Sequence, residues 1–171
     1  YVIGIDILKE LVDLARLSGS AGNVQSLRYI VSNDPEKNDK IFQTLAWAAY
    51  FEDWPGPPEG ERPSAYIVIL DDKGTTMSLG CDYGIAAQSI MLGAAEKGLS
   101  GCMNASIKRE ILRDSLGIPE GYDILLVLAL GKPREKAVIE TIGPSDSIQY
   151  WRDSDKVHHV PKRALDDIII G

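Results

Sequence analysis

Cysteine and histidine are scarce in this 171-residue chain: Cys81, Cys102, His158 and His159 are all there are. Two cysteines outside any CxxC pair make neither a disulfide framework nor a zinc spacing, and two thiols fit a reducing cytoplasm. The histidines are adjacent, and neighbours in an extended segment point to opposite faces. They are therefore a poor metal pair and read as surface or interface residues, so no metal is expected. Basic residues are also short: 18 Lys and Arg against 25 Asp and Glu leave a net charge of −7, with a pI of about 4.8. That argues against a nucleic-acid surface, which needs clustered cations to displace counterions from phosphates. No apolar run reaches the length of a membrane span; the longest, Ile124–Leu130 and Tyr66–Leu70, have strand length. Phosphate-loop, GxGxxG and GxSxG patterns are all missing, as are internal repeats and low-complexity tracts.

What is present is the balance of an ordinary globular protein, 44% hydrophobic and 25% charged. The length fits a single domain over residues 1–171 with a sizeable core. The first residue is Tyr1 rather than Met, so the true N-terminus is expected to lie upstream. Apolar residues at helical spacing predict a helix over Asp6–Leu17, followed by a strand over Leu27–Val31. Pro35 suits a first helical turn, and the pattern continues to about Tyr50. Trp54-Pro-Gly-Pro-Pro-Glu-Gly60 is a surface loop, since proline removes donors and glycine removes stiffness. A strand over Ala65–Leu70, a small-residue helix over Tyr83–Lys97, a helix over Ile107–Leu116 and a doubly buried strand over Ile124–Leu130 follow. Gly98 is placed to end the small-residue helix in a left-handed conformation. That helix is expected to be deeply buried and to be where the chain packs on a second copy. The segment after Gly143 has no compact pattern until Lys162, and Lys162–Ile170 reads equally as a helix or an extended arm.

The stretch richest in chemistry is Ser18-Gly-Ser-Ala-Gly-Asn-Val-Gln25, between a helix and a strand. Few Cβ atoms there stand between backbone and a ligand. Asn23 and Gln25 each offer an amide with donors and an acceptor, suited to a planar heterocycle with alternating carbonyls and ring nitrogens. An ordinary helix end with turn-forming residues accounts for the same local chemistry. Cys102 reads as a small packing residue rather than a nucleophile. Asp71-Asp72 and Asp166-Asp167 read as solvated charges, and Trp47 as a packing residue. Trp54 and Trp151 stay open between core, interface and, for Trp54, a pocket wall.

Three blocks together resemble the FMN-dependent nitroreductase family over roughly residues 8–133. Gly19-Ser20…Asn23…Gln25-Ser26 resembles its Pro-Ser-x-x-Asn-x-Gln-Pro loop, with Gly19 and Ser26 at the two proline positions. Asp82-Tyr-Gly-Ile-Ala-Ala-Gln88 leading to Gly98-Leu-Ser-Gly-Cys102 resembles its Asp-x-Gly-x-Ala-x-Gln helix and Gly-Leu-Gly-x-Cys turn. Leu116-Gly-Ile-Pro-Glu120 to Leu130-Gly-Lys-Pro133 resembles its Ile-Pro-Glu turn and following strand.

The resemblance implies an α+β fold with a mixed central sheet flanked by helices, and a C-terminal arm exchanged in a homodimer whose flavin sites lie at the interface. It implies bound FMN, NADH or NADPH as donor, and a small acceptor such as a nitroaromatic or quinone, reduced in a second half-reaction. No catalytic side chain is required, because the flavin carries the electron chemistry. Ser20, Asn23 and Gln25 would contact the flavin, and the backbone at Asn104 and Ala105 would lie near its reactive edge. Lys162 and Arg163 match the family's C-terminal phosphate ligands, while the N-terminal basic segment has no counterpart, since nothing basic precedes Lys9. Arg16 and Arg28 are spare phosphate candidates, Arg28 directly after the loop. A non-enzymatic FMN carrier or sensor on the same fold is the alternative that these departures leave open, and a scaffold without cofactor is a third.

Overall fold

The computed structural model describes residues 1–51, 54–75 and 80–171, and these divide into two compact units. The first comprises Tyr1–Trp47 and Pro55–Lys132; the second comprises Ala48–Trp54 and Pro133–Gly171. Among the described residues no helix is long and apolar enough to cross a membrane.

In the first unit, helix α1 (Ile5–Leu17) carries Leu8, Leu11 and Ala15 on its buried stripe, with Asp6 in the first turn and Arg16 in the last, where each sign suits the helix dipole. Strand β1 (Leu27–Ser32) follows. Helix α2 (Pro35–Phe42) opens on an Asp34 cap whose side chain accepts from the Lys37 N–H at 2.8 Å. Then come β2 (Ala65–Asp72), α3 (Asp82–Glu96), β3 (Ser100–Asn104), α4 (Arg109–Leu116) and β4 (Tyr122–Gly131). The strands form one antiparallel sheet in the order β1-β2-β4-β3. Its two central strands are buried almost throughout, as their unbroken apolar runs require. One face packs on Leu8, Leu11, Ala86, Ile90 and Ala94 of α1 and α3. The other packs on Ile41, Phe42 and Leu112 of α2 and α4.

Two expectations are corrected here. Helix α2 stops at Phe42 rather than near Tyr50. Past it, Ala46 N–H donates to Ser106 O, Thr44 O accepts from Lys108, and Leu45 bridges Ile107. These pairings draw the segment out of the helix, and Ala48 has φ +41°. The stretch around Cys102 is an edge strand rather than a turn, and Cys102 is exposed rather than packed. Its thiol pKa is raised by desolvation despite that exposure, which keeps it a thiol. Gly101 is dictated by close approach: a Cβ there would stand 2.0 Å from Ala129 O. Gly98 ends α3 at φ +66°, as its position predicts.

The small-residue helix α3 is only half-buried. Ala86, Ala87, Ile90 and Ala94 face the core, while Ile85 (44% exposed) and Leu92 (62%) face out. Trp47 packs against the α2/α4 core, its ring centroid 5.2 Å from Phe42.

The second unit contains β5 (Ala137–Ile142), β6 (Trp151–Arg152) and β7 (His158–Arg163). They form a sheet ordered β5-β7-β6, in which β5 pairs parallel and β6 antiparallel to β7. Mixed pairing thus lies in this sheet. A short 3-10 turn, Leu165–Asp167, precedes a C-terminus on which Ile168, Ile169 and Ile170 are exposed.

Candidate functional site

The loop after α1 is built by hydrogen bonds to a single carboxylate. The chain leaves the helix at Ser18, whose N–H and hydroxyl both donate to Ala15 O. It runs extended through Ser20 and turns over Ala21–Asn23. Gly22 has φ +59°, and two non-glycine residues follow it into the left-handed region, Asn23 at +55° and Gln25 at +54°. Side chains disfavour that region, and such residues persist only where the surroundings over-determine them.

Asp82 supplies much of that determination. It is the first residue of α3 and 7% exposed. The Ser20 hydroxyl donates to its Oδ2 at 2.8 Å, and the Ala21 N–H lies 3.2 Å from both carboxylate oxygens. Ser20 Oγ in turn accepts the Gln25 N–H at 3.0 Å. A carboxylate in a first helical turn is also favoured by the positive end of the helix dipole. The loop is therefore tied to the start of α3, a residue 62 positions away from Ser20 in the chain.

The fixed loop exposes Asn23 and Gln25. Gln25 Nε2 donates to Asn23 O at 3.2 Å, and among the described residues the Asn23 amide has no hydrogen-bond partner. A Cβ at Gly19 would meet nothing within 4 Å, so approach there is open. Beside the loop lies a cavity of about 180 Å³ lined by Arg16, Gly19, Ser20, Gln25, Arg28 and Asp82. Arg28 is held on the loop: its guanidinium donates to Gln25 O at 2.9 Å, to Leu27 O at 3.0 Å and to Asp72 at 3.3 Å. Arg16 pairs with Asp13 at 2.7 Å.

Ser20, Gln25 and Arg28 are thus brought to one cavity, with Asn23 on the same loop. Asn104 ends β3, buried, its amide donating to Cys102 Sγ at 3.3 Å, and Ala105 follows, its carbonyl accepting from Arg109 at 3.2 Å. No hydrogen bond joins either to the 18–25 loop among the described residues. Lys162 and Arg163 lie exposed on β7 in the second unit, where Arg163 donates to Pro144 O at 2.8 Å.

The second unit has its own polar cluster. The ring nitrogens of His159 face Glu140 (2.6 Å from Nδ1) and Asp153 (3.1 Å from Nε2), and Trp151 stacks on the ring at 3.9 Å and 4°. The Glu140 and Asp153 hydrogen bonds raise the His159 pKa. His159 chiefly lowers that of Asp153. His158 points to the other side, 3.1 Å from Glu135 and close to Phe51 and Tyr150. Glu135 is raised by burial, but hydrogen bonds from Arg152 and His158 outweigh that and hold it low. The Arg152 guanidinium sits 4.5 Å over Phe51 and 4.9 Å over Trp54, which makes Trp54 and Trp151 packing partners within this unit. Among the described residues no cluster is arranged to hold a metal ion.

Sequence reasoning quoted Asp82 within a motif but assigned it no role, because an Asp opening a helix has an ordinary explanation in the dipole. It also left out Glu140 and Asp153, whose convergence on His159 depends on strand pairing.

Comparison with known proteins matches residues 62–132 to the model of the Nitroreductase family. Among solved structures, the chain is similar to an FMN-dependent nitroreductase from Clostridium difficile R20291, at 23% identity and a TM-score of 0.66, over 80% of each chain. It is similar to a nitroreductase family protein from Clostridium novyi NT, at 20% identity and a TM-score of 0.66, over 78% of this chain and 77% of that one. It is also similar to an enone reductase of gut-bacterial fatty acid saturation, at 19% identity and a TM-score of 0.64, over 78% and 80%. At these identities the likeness establishes the fold. No curated protein matches the sequence.

Proposed function

We propose that this chain, which has the nitroreductase fold and over residues 62–132 the nitroreductase-family sequence, is an oxidoreductase that holds FMN. In this reading it takes hydride from NADH or NADPH and reduces a small organic acceptor such as a nitroaromatic or a quinone. The observation that carries the reading is the loop of Ser20, Asn23 and Gln25, tied by Asp82 into a conformation its residues would not choose alone. Its chemistry fits the flavin: two exposed amides suit a ring edge of alternating carbonyls and nitrogens, and Gly19 leaves the approach open. Arg16 and Arg28 line the same cavity and are cations near enough to favour an anionic cofactor.

When bound, FMN supplies the two-electron chemistry, so the protein's task is binding, orientation and electrostatics. Asn23 and Gln25 hold the ring from the loop that Ser20 helps to fix, the Asn104–Ala105 backbone borders it, and Lys162, Arg163 and Arg28 serve the phosphate. The functional molecule is a homodimer. Ile85 and Leu92 on the outer face of α3 and the apolar C-terminus (Leu165, Ile168, Ile169 and Ile170) are the surfaces a second copy would cover. A cytoplasmic setting suits its two free thiols.

The test is anaerobic. The protein is loaded with FMN, excess flavin is removed, and the spectrum is recorded before and after NADH or NADPH. Bleaching of the oxidised band is expected. A bound flavin that stays yellow with both donors would favour a carrier or sensor, and failure to retain flavin would overturn the reading.

A further inference from the structure

We infer that Asp82 is the positioning residue of the flavin loop: its buried carboxylate sets the conformation in which Asn23 and Gln25 present their amides. This inference rests on the flavin reading above. The geometry carries it. Asp82 is 7% exposed, yet both its oxygens have donors from the loop, the Ser20 hydroxyl at 2.8 Å and the Ala21 N–H at 3.2 Å. The Cys81 thiol, 3.8 Å from Oδ1, is its own neighbour in the chain and adds no tie to the loop.

Ser20 passes the constraint onward. Its hydroxyl donates to Asp82 and accepts from the Gln25 N–H at 3.0 Å, so the carboxylate governs Gln25 through one intermediate oxygen. Gln25 is one of the two non-glycine loop residues with positive φ, and Asn23, the other, lies within the turn that the Ala21 and Gln25 contacts bracket. Both residues are exposed, so apolar packing does little to hold their backbones in place. A carboxylate suits the task because it only accepts, and the loop offers it only donors. An amide in its place would turn an N–H₂ group toward one of those donors. The position at the start of α3 makes the anchor rigid, since that helix is seated on the sheet by Ala86, Ala87 and Ile90.

The test uses the full chain with Asp82→Ala, Asp82→Asn, Ser20→Ala and the Ser20→Ala/Asp82→Ala double variant. Amide hydrogen exchange of the unloaded protein reads the loop, and FMN titration reads its consequence. Asp82→Ala is expected to speed exchange over residues 18–27 by about tenfold or more while the 86–95 segment of α3 keeps its protection. FMN affinity is expected to fall by about ten- to a hundredfold, the range for losing hydrogen bonds to a charged group. The double variant should bind FMN no more weakly than Asp82→Ala, because Ser20 acts through the carboxylate. If Asp82→Ala does not fold, Asp82→Asn and Ser20→Ala carry the same comparison. Unchanged exchange over 18–27 overturns the anchor whatever the flavin does. Loss of protection throughout the first unit, or additive losses in the double variant, overturns it too, since either is the mark of a general structural role. Wild-type protein that binds no FMN overturns the flavin reading itself, and is recognised by leaving the exchange result intact.

Discussion

At the scale of single residues, the 18–25 loop places two amides in the left-handed region and leaves them facing out, and that placement governs what their loss would do. Asn23→Ala and Gln25→Ala are each expected to weaken FMN binding by about 1–3 kcal/mol, the usual cost of stranding a buried polar partner. Fluorescence titration measures this; unchanged affinity in both variants would remove the loop from the site. His159 makes a second prediction at this scale. Two carboxylates face its two ring nitrogens, and only the imidazolium has an N–H for each. Its folded pKa is raised above the ordinary value near 6.5. The stability it contributes is therefore complete below that ordinary value and is lost as pH rises through the raised one. Asp153 is lowered, so its contribution is complete above its ordinary value near 3.8 and is lost as pH falls through the depressed one. The cluster should stabilise most between those two ordinary values. An NMR titration should place the His159 ring above pH 6.5, and His159→Gln should flatten the alkaline side of the pH–stability curve.

At the scale of elements, the sheet and α3 set the outcomes. Strand β3 lies so close to β4 that Gly101→Ala would put a methyl 2.0 Å from Ala129 O, a backbone atom with no room to yield. A loss of about 1–3 kcal/mol or more is expected, as for other overpacked sites. In urea unfolding, Gly121→Ala, which meets nothing within 4 Å, should change far less. For α3 the exposed Leu92 is the probe of self-association. Leu92→Asp should convert the proposed homodimer to monomer in sedimentation without disturbing the core face of the helix; a wild-type chain that already sediments as a monomer would remove the dimer, and a variant that stays dimeric would move the interface elsewhere. Most elements of the first unit were legible because each carries its own period: α1 and α4 at helical spacing, β2 and β4 as unbroken apolar runs. Helix α2 was over-extended because residues 43–50 keep an apolar pattern, while the pairing that ends the helix comes from residues 106–108. Strand β7 was illegible because it contains Pro161, which reads as a breaker; β6 pairs only with His158 and His159, so at Pro161 the strand is flanked by β5 alone and a missing N–H is tolerated.

At the scale of the whole molecule, the proposed phosphate ligands Lys162 and Arg163 stand exposed on β7. Replacing Lys162 and Arg163 together by Ala should weaken FMN by about tenfold or more and riboflavin much less, since riboflavin has no phosphate for them to meet. Equal losses for the two ligands would take the pair out of the phosphate site.

Composition and local pattern determined much by themselves: a net charge of −7, apolar runs of strand length rather than membrane-span length, the α+β class, and the order of the three motif blocks. These are properties of neighbouring residues, and hydrophobic periodicity reports them directly. Only the tertiary structure decided which residues act together. Asp82 meets Ser20 across 62 positions, and His159 meets Glu140 and Asp153. The α3 helix, rich in small residues, buries one face and leaves Leu92 on the other. Such pairings arise from how helices and strands pack, and a buried carboxylate finds its donors wherever the chain returns to it, which no local spacing records.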